Sequence, residues 1–160
     1  MLAPFRIANR YGLFATMTPA RYEIEFQGSR DGVTWLPYPF RYKPQALDAA
    51  PGIYAPYQPR FEWNLWFASL SSCRNERWVL EAEARLLEGD DAVLSLFARD
   101  PFEGTPPTEV RTVVSQYWFT DEATKAATGR WWQRDDIGPY CATVTRGADG
   151  KIRLVRDASK

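Results

Sequence analysis

Histidine is absent from this sequence. The side chain that most often moves protons near neutral pH is therefore missing. With it go every Ser-His-Asp or Cys-His arrangement and every histidine-containing zinc site. Cysteine is scarce: Cys73 and Cys141 lie far apart and form no CxxC, and two thiolates without histidine do not make a zinc site. They read as two unrelated free thiols, with a disulfide between them as the lesser alternative. Long apolar runs are lacking as well. The longest is Leu65-Trp66-Phe67-Ala68, against the roughly 20 residues needed to span a bilayer. The first six residues show neither the basic start nor the apolar stretch of a signal peptide. Excess charge is missing too, since 20 Lys plus Arg balance 20 Asp plus Glu. A nucleic-acid binder usually carries a basic excess or stripe, so no such partner is expected. The sequence contains no GxSxG, GxGxxG or GxxxxGK[ST], so no cofactor or metal is expected either.

What is abundant is aromatic: seven Trp, eight Tyr and nine Phe. Such residues fill cores, anchor interfaces and stack on sugars. With 45% apolar residues over 160, there is material for one domain with a core of its own.

Residues 5–17 read as a first strand. The cleanest strand is 21–27, where Tyr22, Ile24 and Phe26 alternate with Glu23, Glu25 and Gln27. Asp31-Gly32 turns the chain into a partner strand over 33–42, and Pro37 and Pro39 place that strand at a sheet edge. Pro44, Pro51, Pro56 and Pro59 make 44–59 an extended crossing loop. A helix follows through Phe61, Leu65 and Ala68. A second runs from an Asn75 cap to a Gly89 stop, with Trp78, Leu80, Ala82 and Leu86 on its buried side. Asp90 or Asp91 caps a short third helix that passes Leu94, Leu96 and Phe97 and ends at Asp100-Pro101. The stretch 108–119 is a central strand, Thr120 caps a fourth helix that Gly129 stops, and 131–137 is a last major strand. Residues 146–160 are polar, with a short possible strand at 152–155. Strands, then helices, then strands give α+β, with an antiparallel sheet of about five to six strands and three to four helices packed on it. The domain is placed at 1–145 and a polar C-terminal tail at 146–160.

The carboxylate pairs do not converge. Glu81 and Glu83 point apart on a helix, Asp90 and Asp91 are caps, and Asp135 and Asp136 face opposite ways on a strand. A glycosidase needs two carboxylates facing each other roughly 5–10 Å apart, so no catalytic residue is assigned and the chain is read as a non-enzyme. The aromatic set near the proline loop suggests binding instead. Tyr54, Tyr57, Arg60, Trp63 and Trp66, with Trp132 from the Arg130-Trp131-Trp132 cluster, are assigned to a partner-contacting surface. Trp and Arg dominate interface hot spots, and prolines lower the entropy lost on binding.

Several blocks resemble one family, the lipase maturation factors, in their soluble C-terminal region. They are Asn9-Arg10-Tyr11-Gly12-Leu13-Phe14; Gly28 to Trp35 with Tyr38, Phe40 and Lys43-Pro44; Pro59-Arg60-Phe61-Glu62-Trp63 with Trp66-Phe67-Ala68; Leu86-Leu87; Asp100-Pro101-Phe102 before Pro106-Pro107; Tyr117-Trp118-Phe119-Thr120; and Gly129-Arg130-Trp131-Trp132 running to Gly138-Pro139-Tyr140. The resemblance covers about residues 5–140. It implies a non-enzymatic, chaperone-like folding factor whose partner is a client protein, a lipase in the family's vertebrate members. Those members are multi-pass proteins of the endoplasmic reticulum with this region on the lumenal side. The chain as given reads as soluble, with membrane attachment only through a missing N-terminal region. After Gly138-Pro139-Tyr140 the sequence continues Cys141-Ala142-Thr143, where relatives have prolines. The share of arginine, 16 Arg to 4 Lys, and the compact hairpin read as bacterial. A second reading stands beside the first. The Ser29–Trp35 hairpin looks like the Ser-x-Asp-Gly-x-x-Trp hairpin of discoidin-like jelly rolls, which suggests a carbohydrate- or small-ligand-binding β-rich module.

Overall fold

The computed structural model describes residues 20–53, 57, 59–147 and 149–155. The strand expected over 5–17 lies outside them. The described residues form a six-stranded antiparallel sheet and four helices, the α+β arrangement expected. In chain order the elements are β1 (Arg21–Ser29), β2 (Leu36–Pro37), α1 (Arg60–Ser69), α2 (Arg77–Glu88), α3 (Asp91–Leu94), β3 (Glu109–Phe119), α4 (Glu122–Thr128), β4 (Trp132–Pro139), β5 (Val144–Arg146) and β6 (Ile152–Leu154).

β3 is the centre of the sheet. It pairs with all of β1, from Arg21↔Tyr117 to Ser29↔Glu109. Its other edge takes β4 and then β5, with a register shift between Val114 and Ser115. β5 in turn pairs with β6. The sheet therefore continues past residue 145 into the segment read as a polar tail.

The alternation in β1 buries Ile24 and Phe26 against the two main helices. Leu65 and Ala68 of α1, Val79 and Leu86 of α2, and Val110 of β3 complete that core. Leu86, Ile24 and Phe26 are fully buried as expected, Trp78 and Leu80 pack at the core's margin, and Tyr22 is half-buried. The opposite face of β1 is not the solvated one that its glutamates suggested. Glu23 is buried, with Lys43 Nζ at 2.8 Å and Arg21 Nε at 2.6 Å. Residues 43–49 fold over this face, after Tyr38 and Phe40 have packed into the core. Gln45 donates to Glu25, and the backbone N–H groups of Trp131 and Trp132 donate to Leu47 O.

The partner strand expected over 33–42 shrinks to Leu36–Pro37, paired with Gln27 and Gly28 at the sheet edge. Pro37 and Pro39 have no N–H to continue the ladder. The rest of the β1 edge is plugged instead. Phe26 O accepts from Tyr38 N, Ile24 O from Lys43 Nζ, and Tyr22 O from the Ser69 hydroxyl, all at 2.9–3.0 Å. An edge so occupied cannot template pairing with another chain.

The caps shift by a residue in two places. Glu76 rather than Asn75 occupies the start of α2, and no side chain caps it. Asp121, not Thr120, caps α4, accepting from Thr124 N, while Thr120 Oγ1 donates to Arg130 O. Asp90 caps α3 as expected, but that helix closes at Leu94, before Leu96 and Phe97. Gly89 ends α2 at φ 74, a left-handed position that costs glycine little.

The largest correction concerns the cysteines. Cys73 and Cys141 are joined by a disulfide with Cα atoms 5.3 Å apart. They are 68 residues apart in sequence, which is why spacing gave no hint. The α1–α2 connection comes back against the segment after β4, and Tyr140 OH pins the same contact by donating to Ala68 O at 2.6 Å.

Candidate functional site

α1 has the composition RFEWNLWFAS, with apolar residues on every side of the helix. A helix apolar all round is normally buried all round. Only one side of this one is covered. Leu65 and Ala68 face the core, while Trp63 is 39% exposed, Phe67 41% and Leu70, just after the helix, 44%. Trp66 is half-buried between them. The three rings touch one another, with centroids 5.8 Å apart for Trp63–Trp66, 5.7 Å for Trp63–Phe67 and 5.0 Å for Trp66–Phe67. They form a connected aromatic face at helical spacing.

A buried carboxylate holds this helix in place. Glu62 accepts the backbone N–H groups of Arg41, Tyr42 and Lys43 at 2.9, 3.0 and 2.7 Å. Three successive donors on one carboxylate are an anion nest supplied by the chain itself. Together with Ser69 on Tyr22 O and Tyr140 on Ala68 O, it fixes α1 at both ends. The face is thus presented on a rigid element.

The other residues assigned to the surface fall in different places. Arg60 is exposed at the start of α1. Tyr57 is 61% exposed and its ring packs on Tyr42 at 5.6 Å. Tyr54 lies outside the described residues. Trp132 does not belong to the surface: it is 3% exposed, its indole N–H donates to Ala49 O, and Phe119 stacks on it at 4.3 Å. Its strand position turns it under the crossing loop. Phe67 and Leu70 were missed as surface residues. The signal was available, since Trp63, Phe67 and Leu70 follow the i, i+4, i+7 spacing of one face.

The titratable groups serve the fold. The Asp31 carboxylate accepts from Val33 N and Thr34 N at 2.9 and 2.7 Å, and these bonds hold its carboxyl well below the usual range. The hairpin that resembled a sugar-binding one is therefore organised by its own backbone. Trp35 is half-buried, with the Arg111 guanidinium 3.9 Å from its ring centroid. Glu83 is buried on α2 and accepts from Thr112 Oγ1 at 2.6 Å, and its other oxygen has no hydrogen-bond partner. Burial pushes its carboxyl up to about 8, against the weaker pull of the Thr112 hydrogen bonds. Glu81 of the same helix is exposed. Asp136 accepts from Ser115 Oγ and pairs with Arg134. Among the described residues, no group of three Cys, Asp or Glu could hold a metal ion. No helix of the described residues is long and apolar enough to cross a membrane.

The fold and this site define a disulfide-braced α+β domain that displays an aromatic helix face. The chain belongs to the lipase maturation factor family: residues 7–142 match the model of the lipase maturation factor C-terminal domain. It is 37% identical to lipase maturation factor 2 of Gallus gallus over 150 residues, covering 89% of this chain and 21% of that protein. Against lipase maturation factor 2 of Homo sapiens the identity is 37% over 94% of the chain and 22% of the relative. Against lipase maturation factor 1 of Bos taurus it is 36% over 89% and 27%. The chain thus spans about a fifth to a quarter of the length of these curated relatives. They are vertebrate proteins, which overturns the bacterial reading taken from the arginine share. No solved structure matches the chain.

Proposed function

We propose that this domain binds a client protein, a lipase by the names of its relatives, and assists its folding or assembly without catalysing a reaction. The observation that carries this is the exposed set Trp63, Phe67 and Leu70, with the half-buried Trp66 between them, on a helix whose position is fixed by the Glu62 nest. Aromatic residues offer contact area with few rotors, and a rigid support limits the entropy lost on binding. Tyr57 and Arg60 extend the surface at the start of α1. The absence of histidine and the structural use of the buried carboxylates support a role without turnover. The Cys73–Cys141 disulfide suits an oxidising compartment, the setting in which secreted lipases fold.

The test is the binding of a secreted lipase, folded and freshly diluted from denaturant, to the immobilised domain. A Trp63→Ser/Phe67→Ser variant is expected to bind at least tenfold more weakly while melting at nearly the same temperature. Full retention of binding by that variant would remove α1 from the reading. Lipase, esterase and glycosidase assays of the domain alone are expected to stay at buffer background.

A further inference from the structure

A concave site lies between α2, α3 and the 100–107 loop, and none of its residues belongs to the aromatic face. It is a cavity of about 240 Å³. Leu86, Leu94 and Pro106 supply apolar wall, Asp91 and Asp100 supply carboxylates, and Tyr38 forms part of the floor. Tyr38 is fully buried, and its ring is packed by Phe97 and Phe102 at centroid distances of 5.3 and 5.7 Å. Its hydroxyl has no hydrogen-bond partner. Leaving a buried hydroxyl unpaired is unfavourable, and native proteins tend to do so where something else completes the bond.

The two carboxylates lack counter-charges. Asp100 accepts Phe102 N on one oxygen at 2.8 Å and Gly104 N on the other at 2.7 Å. Those bonds set the direction of the carboxylate and leave its charge unpaired. Asp91 opens α3 and is exposed. Among the described residues neither has an ion-pair partner. The neighbouring Asp90 is already committed to Arg85 and to the helix N–H groups. Burial, and to a lesser degree the charge of Asp100, keep the Tyr38 phenol neutral at ordinary pH. The lone pairs of its oxygen can accept an N–H.

We infer that this cavity takes the side chain of an arginine or lysine presented by a partner segment. The alkyl stem would lie on Leu86, Leu94 and Pro106. The cationic head would meet Asp91 and Asp100, and one N–H would donate to the Tyr38 hydroxyl oxygen. An anion would be repelled by the two carboxylates. A bare metal ion would find an apolar wall where it needs oxygen ligands. Long basic side chains bury their stems and pair their heads in this way.

The test is a titration of the 160-residue protein, followed by amide chemical shifts, with four probes: butylguanidinium, butylammonium, the neutral isostere butylurea, and a blocked Gly-Arg-Gly tripeptide. Saturable shifts at Gly104 and Leu94 are expected with both cations, and at least tenfold weaker binding with butylurea. The tripeptide should bind at least as tightly as butylguanidinium, because the site is read as taking a presented side chain. Asp91→Asn should weaken the cations fivefold or more, and Tyr38→Phe should weaken butylguanidinium without lowering the melting temperature. Asp91 is exposed at a helix start, so its variant tests the charge without endangering the fold. Butylurea binding as tightly as the cations would overturn the inference. So would unchanged affinity in both variants, or exclusion of the tripeptide.

Discussion

α1 and α2 share one core over one face of the sheet, yet their outer sides differ. The exposed stripe of α2 is Arg77, Glu81, Arg85 and Glu88, at helical spacing and of alternating sign. The corresponding stripe of α1 is Trp63, Phe67 and Leu70. The first is what a solvated helix needs. The second is apolar where a solvated helix is charged, and it is the stripe on which the proposed client contact rests. The buried sides differ as well, because each helix buries one glutamate. Glu62 of α1 is satisfied by three backbone N–H groups. Glu83 of α2 has one hydroxyl partner and one unpaired oxygen. One carboxylate organises a loop, and the other sits in the core with one oxygen unpaired.

The comparison can be broken or sharpened by substitution. The largest effect is expected where the two helices are tied to the sheet. Removing the Cys73–Cys141 link, by Cys141→Ser or by reduction, should cost about 4 kcal/mol, the scale expected for a closed loop of this length. Urea unfolding with and without reductant measures it, and a change under about 1 kcal/mol would show that packing alone holds the junction.

Leu86→Ala on the buried side of α2 should cost about 3 kcal/mol by denaturant unfolding, typical of a filled core position. Glu62→Gln should cost about 2 kcal/mol, since the amide offers one acceptor where the nest of three donors needs two. Equal stability of that variant would mean that the 41–43 turn is held by other contacts.

Glu83→Gln should act in the opposite direction, and only at higher pH. The folded carboxyl titrates at about 8, above its ordinary value of 4.5. The folded state therefore holds a proton that the unfolded state releases. Stability is fully present below about pH 4.5 and falls as pH rises through about 8. The amide mimics the neutral acid and removes this loss. A gain of a few kcal/mol is expected at pH 8.5, shrinking steadily toward pH 5 and vanishing below about pH 4.5. Unfolding curves at the two pH values decide it, and a pH-independent difference would place the effect elsewhere. The smallest effect belongs to the outer side of α1, where Phe67→Ser should move stability by less than about 0.5 kcal/mol. A larger loss would make Phe67 part of the fold rather than of a binding face.

Much of the frame was legible because its signals are local. The alternation of Ile24 and Phe26 set the inward side of β1, and β3 read as central. The Gly89 and Gly129 stops closed α2 and α4, since a left-handed residue ends a helix whatever surrounds it. The site was legible in part. Trp63 and Trp66 were placed on one helix by spacing, but spacing alone could not say which side of a helix with apolar residues all round faces water. Trp132 was assigned to the surface because strand alternation does not say that the crossing loop at Ala49 will cover it.

By itself the sequence determined the α+β class, the central position of 108–119, the helix stops and the lack of histidine chemistry. These depend on period, on residue type and on backbone preference, which act over a few residues. Tertiary structure alone decided the rest. It joined Cys73 to Cys141, turned the expected strand over 33–42 into an edge plug, seated Glu62 in its nest, sealed Glu83 in the core and left Trp63 and Phe67 uncovered. Each of these brings together groups far apart in the chain, and no local periodicity encodes which distant neighbour a side chain will meet.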